Sequence, residues 1–195
     1  MLNIFKTTPP TDPQPRRAKL TILLGFNGTG KTTMLRRIVT ASAQRTLIVT
    51  PDDVEWTDLP INELQSRDDY AFQGIQRHIW NPDNTLDRIS KFKKGILVFD
   101  DCRSYFQDHT DPRVRDLLIR RRQREVDVFA CGHGFTQVPP VFFTFASDYI
   151  LFRTIDNIDR RRDCITNFEF LKQSQAFVNH KAKTDPHFFR HIKIS

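Results

Sequence analysis

The chain has 195 residues, 38% hydrophobic and 27% charged, with a net charge of +7, a balance that supports a packed core and excludes intrinsic disorder. Its three cysteines, Cys102, Cys131 and Cys164, are too few and too dispersed for a disulfide framework or a zinc knuckle, and they predict a reducing, cytoplasmic setting. No apolar run approaches the roughly 18 residues of a membrane span, and Met1–Phe5 is too short for a signal segment, which sets membrane and secreted classes aside. Glycine is scarce, with seven in the chain, about half of the usual ~7% usage.

Residues 1–18 hold Pro9, Pro10, Pro13 and Pro15 without apolar periodicity and predict an extended arm. Leu20–Leu24 is a continuous apolar run, as in a strand buried on both faces. Thr32–Ala43 has helical spacing, with Met34, Leu35, Ile38 and Val39 on one side. Leu47–Val49 is a second buried strand. The stretch 54–80 is ambiguous: Phe72, Ile75 and Ile79 suit a short helix or an edge strand. Asp83–Lys93 predicts a helix with Leu86, Ile89 and Phe92 inward. Gly95 then releases a third strand, Ile96–Phe99. Asp111-Pro112 starts a helix, the aspartate capping and the proline at the first position, with Val114, Leu117 and Leu118 buried. Val126–Cys131 and Tyr149–Phe152 complete five strands. Their alternation with helices predicts an α/β fold with an open, mostly parallel sheet.

The sharpest motif is Gly25-Phe26-Asn27-Gly28-Thr29-Gly30-Lys31-Thr32, which fits G-x-x-x-x-G-K-[ST] between a strand and a helix. A polyphosphate needs several backbone N–H groups turned inward together, and glycines permit this by accepting positive φ. The following helix adds its positive dipole end at Thr33 and the residues before it. Lys31 supplies a point charge for the β- and γ-phosphates, and the Thr32 hydroxyl is a ligand for Mg²⁺, so ATP and Mg²⁺ are the expected substrate and cofactor. Ile96–Phe99 ends in Asp100 and Asp101, at the strand end where open α/β sheets bind ligands. Asp100 is the expected Mg²⁺-side carboxylate and Asp101 the group that orients the attacking water. Asp52 and Asp53 form a rival acidic pair. His133, between Gly132 and Gly134 at the end of a strand, is a candidate sensor of the γ-phosphate; its plain alternative is a loop histidine bonded to backbone.

These segments together resemble the FtsK/HerA superfamily of P-loop ATPases, and the small viral genome-packaging ATPases in particular. The likeness runs through Leu20–Thr33, Ile96–Asp101, Arg120–Pro139 and Tyr149–Thr154. It implies a three-layer α/β sandwich of the RecA/ASCE kind, with the sensor strand between the phosphate-loop and acidic strands. It also implies a ring, usually of six subunits, that moves double-stranded DNA with ATP and docks on a capsid or internal-membrane portal. The ATPase core would span 19–155, followed by a basic appendage at 156–195. The chain departs from the family in having Asp-Asp where Asp-Glu is usual, His133 where glutamine is usual, and no arginine after Val138-Pro139.

Six arginines lie between Arg113 and Arg124. On a continued helix Arg121 and Arg122 would stay on the inward side while Arg120 and Arg124 turn outward. Arg122, by its spacing from His133, resembles the family's arginine that acts in trans on a neighbour's phosphates, with Arg124 second; a solvated basic face is the plain alternative. Arg160–Arg162 and the basic 172–195 segment, with His180, His187 and His191, suit sequence-indifferent phosphate contacts. Other readings of the same loop are a small-molecule or nucleotide kinase, and an ATPase of phage assembly, secretion or DNA processing. A GTPase is disfavoured because Thr154-Ile155-Asp156-Asn157 does not supply the Asn-Lys-x-Asp strand end.

Overall fold

Unbroken apolar strands are stable only when both faces are covered. In the computed structural model, which describes residues 18–52, 54–106 and 111–194, this holds for β1 (Leu20–Leu24), β2 (Thr46–Thr50), β4 (Gly95–Phe99) and β5 (Val126–Gly132), where every residue is buried. Their side chains alternate between two cores. Ile22, Leu24, Val49, Leu97, Phe99 and Val128 enter one, while Leu23, Ile48, Ile96, Val98 and Phe129 enter the other. The second core is sealed by Leu35 and Val39 of α1 (Lys31–Ser42). The first is sealed by α2 (Thr85–Ile89), α3 (Cys102–Tyr105), α4 (Pro112–Arg120), α5 (Pro140–Phe145) and α6 (Phe168–Lys181). The result is a three-layer α/β sandwich.

With β3 (Ile75–Ile79), β6 (Asp148–Leu151) and β7 (Arg190–Lys193), the sheet has seven strands in the order β3-β2-β4-β5-β1-β6-β7. All neighbours pair in parallel except β6 and β7. The strand leading to His133, β5, lies between β1 and β4, as the family resemblance implied. The five expected strands are all present, and the stretch 54–80 yields an edge strand. The remaining strand, β7, has only Ile192 buried, so it carries little apolar signal of its own; it is fixed by antiparallel pairing with β6. Through it and α6, residues 156–194 share the core of the rest of the chain. Residues 1–17 and Asp53 lie outside the described residues.

Two expectations are corrected. The helix expected over Asp83–Lys93 is confined to Thr85–Ile89: the Lys91 and Phe92 N–H groups donate three residues back, to Arg88 and Ile89. The chain turns at Lys94 with φ 54°, and Arg45 holds the Lys93 and Lys94 carbonyls there while Phe92 still reaches the core. The helix bearing the arginines ends at Arg120, so Arg121 and Arg122 do not share a side. Arg121 is buried against the carbonyls of Leu118 and Phe145, whereas Arg122 is exposed. Asp111 caps α4 as expected, accepting from the Arg113 N–H.

Phe142 is fully buried under the acidic strand, with its ring 5.9 Å from Phe99 and 5.5 Å from Phe106. Phe142→Ala is expected to lower stability by about 3–5 kcal/mol, read as a lower urea midpoint with unchanged denaturant slope.

Candidate active site

The glycine-rich loop joins β1 to α1 and is moored on both sides. The Gly25 N–H donates to the Gly132 carbonyl of β5, and the Phe26 N–H to the Arg153 carbonyl beyond β6. The Phe26 carbonyl is the hub of the loop: it accepts from Thr29 Oγ1 at 2.8 Å and from Lys31 Nζ at 2.9 Å. Gly28 and Gly30 have φ of 76° and 98°, the left-handed region in which a side chain is strained. The loop therefore needs glycine at both positions.

A cleft of about 310 Å³ opens beside this loop and collects six of the expected residues: Asn27, Lys31, Thr32, Asp100, Asp101 and His133 all line it. Thr29, Gly30 and Thr33 face a second hollow, while Gly25 and Phe26 form the loop's base. Strand register explains the convergence. Leu24 lies opposite Gly132 and Phe99 opposite Ala130, so the residues leaving β1, β5 and β4 emerge side by side. Asp52 of the rival acidic pair also lines the cleft, as do Val54 and Glu55 from the same loop after β2.

Asp100 is 9% exposed, and its Oδ2 accepts from Trp56 Nε1 at 2.5 Å. Burial, joined by the facing Glu55 carboxyl, pushes its pKa up to about 7 against the pull of the Trp56 bond. The Trp56 ring is held by Arg36 of α1, whose guanidinium lies 4.3 Å from the ring centroid and forms two 2.7 Å hydrogen bonds to Asp58. Below the carboxylate, the Tyr105 hydroxyl lies 2.5 Å from the Asp100 carbonyl and 2.7 Å from that of Val49, tying the ends of β4 and β2 together. Asp101 has φ 74° and ψ 77°, a strained conformation for a residue with a side chain. Its Oδ2 accepts from Ser104, but its Oδ1 is buried with no hydrogen-bond partner among the described residues. Lys31 is held below the usual lysine range by burial, offset by the Asp100 and Asp101 carboxylates. The Cys131 thiol beside it is pushed well up by complete burial and stays protonated.

His133 is half-buried, and burial together with the Lys31 charge lowers its pKa, so the ring is neutral at pH 7. Its backbone is clamped: the N–H donates to Gln137 Oε1 and the carbonyl accepts from Thr154 Oγ1. Next to it Asp156 accepts from both the N–H and the hydroxyl of Thr136, and Arg161 donates to the Phe135 and Thr136 carbonyls. Arg161 is thus a structural member of the 160–162 cluster, and Arg162 pairs with Glu169. Arg122 and Arg124 precede β5, at the opposite end of the sheet from the phosphate loop. Arg122 borders a separate shallow hollow with Ile119 and Arg121, and Arg124 is half-buried with Nη1 unpartnered among the described residues. Neither reaches its own chain's cleft.

Glu55, Trp56 and Ser104 stand outside any motif. Glu55 and Trp56 lie where the sequence loses its periodicity, and an acid–tryptophan pair after a buried strand was their only signal.

The arrangement matches a known architecture. The genome packaging NTPase B204 of Sulfolobus turreted icosahedral virus 2, in complex with AMP, superposes with a TM-score of 0.65 at 15% identity, over 91% of this chain and 97% of that one. The chain has the P-loop NTPase fold. The same protein in complex with AMPPCP gives a TM-score of 0.62 at 14% identity, over 91% and 98% of the two chains. B204 of Sulfolobus turreted icosahedral virus, a DNA-packaging ATPase, gives 0.57 at 10% identity, over 91% and 98%. No protein-family model and no curated protein matches the chain.

Within this P-loop NTPase fold, the buried Asp100 has a thermodynamic signature. Its folded pKa near 7 lies above the ordinary ~3.9 of an unfolded aspartate, so between those values the folded state binds more protons and stability falls as pH rises. Asp100→Asn removes the titration. In nucleotide-free protein with chelator, the variant's melting temperature should exceed wild type by several degrees at pH 8, with the gap closing towards pH 4.

Proposed function

We propose that the chain is an ATP-hydrolysing motor that assembles into a ring, a hexamer by family resemblance, and translocates double-stranded DNA to package a viral genome. The observation that carries the reading is the convergence of Lys31, Thr32, Asp100, Asp101 and His133 on one cleft at the carboxyl ends of β1, β4 and β5. It is supported by the fold shared with B204, a packaging NTPase solved with AMP and AMPPCP.

ATP would lay its β- and γ-phosphates on the loop amides, and Lys31 Nζ would exchange the Phe26 carbonyl for phosphate oxygens. The Thr32 hydroxyl and the Asp100 carboxylate are hard oxygen donors opening on the same cleft, a set that fits Mg²⁺ when the substrate supplies the remaining oxygens. Among the described residues no group of three or more His, Cys, Asp or Glu forms a ready cage. Bound there, Mg²⁺ would neutralise charge developing on the phosphates.

Asp101, with its unpartnered Oδ1, would accept a hydrogen bond from the attacking water and hold it in line. Neutral His133 would donate from its ring N–H to a γ-phosphate oxygen and report its loss through the Gln137 and Thr154 clamp. Arg122, or Arg124 after it, lies at the opposite sheet end and would serve a neighbouring subunit in the ring. Arg160 and the basic 172–195 segment would contribute phosphate contacts to the DNA. Among the described residues no helix is long and apolar enough to cross a membrane; by family resemblance the ring would dock on a capsid or internal-membrane portal protein.

Lys31→Ala should lower steady-state ATP hydrolysis by about 100-fold or more with an unchanged circular dichroism spectrum; retained turnover would overturn the site. Duplex DNA should stimulate the wild-type rate, with the stimulation fading between 50 and 300 mM salt, roughly as counterion release requires. Stimulation by a nucleoside monophosphate instead of DNA would assign the loop to phosphoryl transfer between small molecules.

A further inference from the structure

The second hollow, about 330 Å³, lies against the phosphate loop but shares no lining residue with the cleft that holds Asp100. Its walls are Gly30, Thr33 and Met34 on one side and Phe152, His187 and Phe189 on the other. Consecutive helix residues point about 100° apart, and Thr32 and Thr33 divide accordingly, one facing each hollow. The first turn of α1 is therefore a ridge between a charged cleft and an aromatic one. With its terminal phosphate beside Lys31 and Asp101 on the first side, a nucleotide on the loop amides would extend its base over the second.

The aromatic side has the character of a stacking surface. The Phe152 ring is buried and forms a floor, while Phe189 lies 5.4 Å from it, tilted by 35°, and is 40% exposed to solvent. An exposed phenylalanine bordering a hollow presents a flat apolar face that a planar ring would cover. His187 closes the wall: its Nδ1 would lie 3.4 Å from a Cβ placed on Gly30, ordinary contact distance, so its ring borders the loop at the point where the chain enters α1.

These rings are held by tertiary structure. The turn that carries them is fixed by Asp185, which accepts from the His187 N–H through its side chain and from the Phe188 N–H through its carbonyl. The Phe188 ring packs on Phe177 of α6 with centroids 5.8 Å apart, and β7 then pairs with β6, the strand from which Phe152 emerges.

We propose that this hollow is the nucleobase subsite of the phosphate loop, with a purine ring stacking on Phe189 above Phe152 and edged by His187. His187 thus moves from the basic DNA-contacting surface expected from the sequence to the nucleotide. The proposal rests on the nucleotide reading of the loop and deepens it: the segment entering β7 recognises the base.

The test compares ATP with inorganic tripolyphosphate, which has the phosphates but no base, by isothermal titration on the full chain. Phe189→Ala should weaken ATP by about tenfold or more while leaving tripolyphosphate within about twofold, since stacking on an aromatic contributes at this scale. Phe189→Trp keeps a flat ring and should retain ATP affinity, and its added indole emission should be quenched by ATP and not by tripolyphosphate. Equal loss of both ligands in Phe189→Ala, or an indole at 189 indifferent to ATP, would overturn the subsite. Lys31→Ala separates the two readings: it should weaken both ligands, and if it does so while Phe189→Ala and Phe189→Trp behave as wild type, the loop assignment stands and the base subsite falls. ATP affinity unchanged in Lys31→Ala would overturn both.

Discussion

Parallel pairing of β4, β5 and β1 is the constraint on which the rest of the molecule depends. Parallel strands send all their carboxyl ends to one edge of the sheet, so three segments remote in sequence deliver their first polar residues to the same place. The register makes this specific: with Leu24 opposite Gly132 and Phe99 opposite Ala130, the phosphate loop, His133 and the two aspartates become neighbours. A parallel sheet also demands cover on both faces, which is why α1 must run back across one face and α4 and α5 across the other. The helix whose amino end faces the cleft is thus the helix that seals one of the two cores.

The site is built at a cost to the fold. Asp100 is a carboxylate at the end of a fully buried strand, and its raised pKa measures how poorly that environment tolerates its charge. Trp56, braced by Arg36 and Asp58, offers it one hydrogen bond, while Glu55 adds like charge. Asp101 is held at positive φ with an unsatisfied oxygen. Unfavourable groups of this kind persist where the surrounding core overdetermines them, and they gather where charge has to be bound. Here the overdetermination is visible: the Tyr105 hydroxyl links the two strand ends, and Phe99, Phe106 and Phe142 pack beneath them.

The C-terminal segment belongs to the site as much as to the surface. Gln175 and Asn179 of α6 both donate to the Thr154 carbonyl, and Asn179 Oδ1 also accepts from the Thr154 N–H. Thr154 in turn bonds the His133 carbonyl. The chain beyond α6 carries His187 and Phe189 to the phosphate loop. One segment therefore supports the proposed sensor from behind and walls the loop from its far side, which ties both flanks of the loop to the packing of α6.

The loop motif, the paired aspartates, the buried strands and the Asp111-Pro112 helix start were legible in the sequence because each is a local pattern: glycines at fixed spacing, apolar runs, a capping side chain. By itself the sequence determined the fold class and singled out Lys31, Thr32, Asp100 and Asp101 as candidates, which the fold brings to one cleft. It could not show β7, whose Arg-His-Ile-Lys run becomes a strand only through β6, or the turn after α2, where Arg45 reaches across 48 and 49 positions to hold the Lys93 and Lys94 carbonyls. Nor could it separate structural from free arginines, since burial of Arg121 and exposure of Arg122 depend on where α4 stops. Only the tertiary structure decided which residues surround the loop. Glu55, Trp56, His187 and Phe189 arrive there through sheet order and long-range pairing, and a contact made by chain folding leaves no period in the sequence to read.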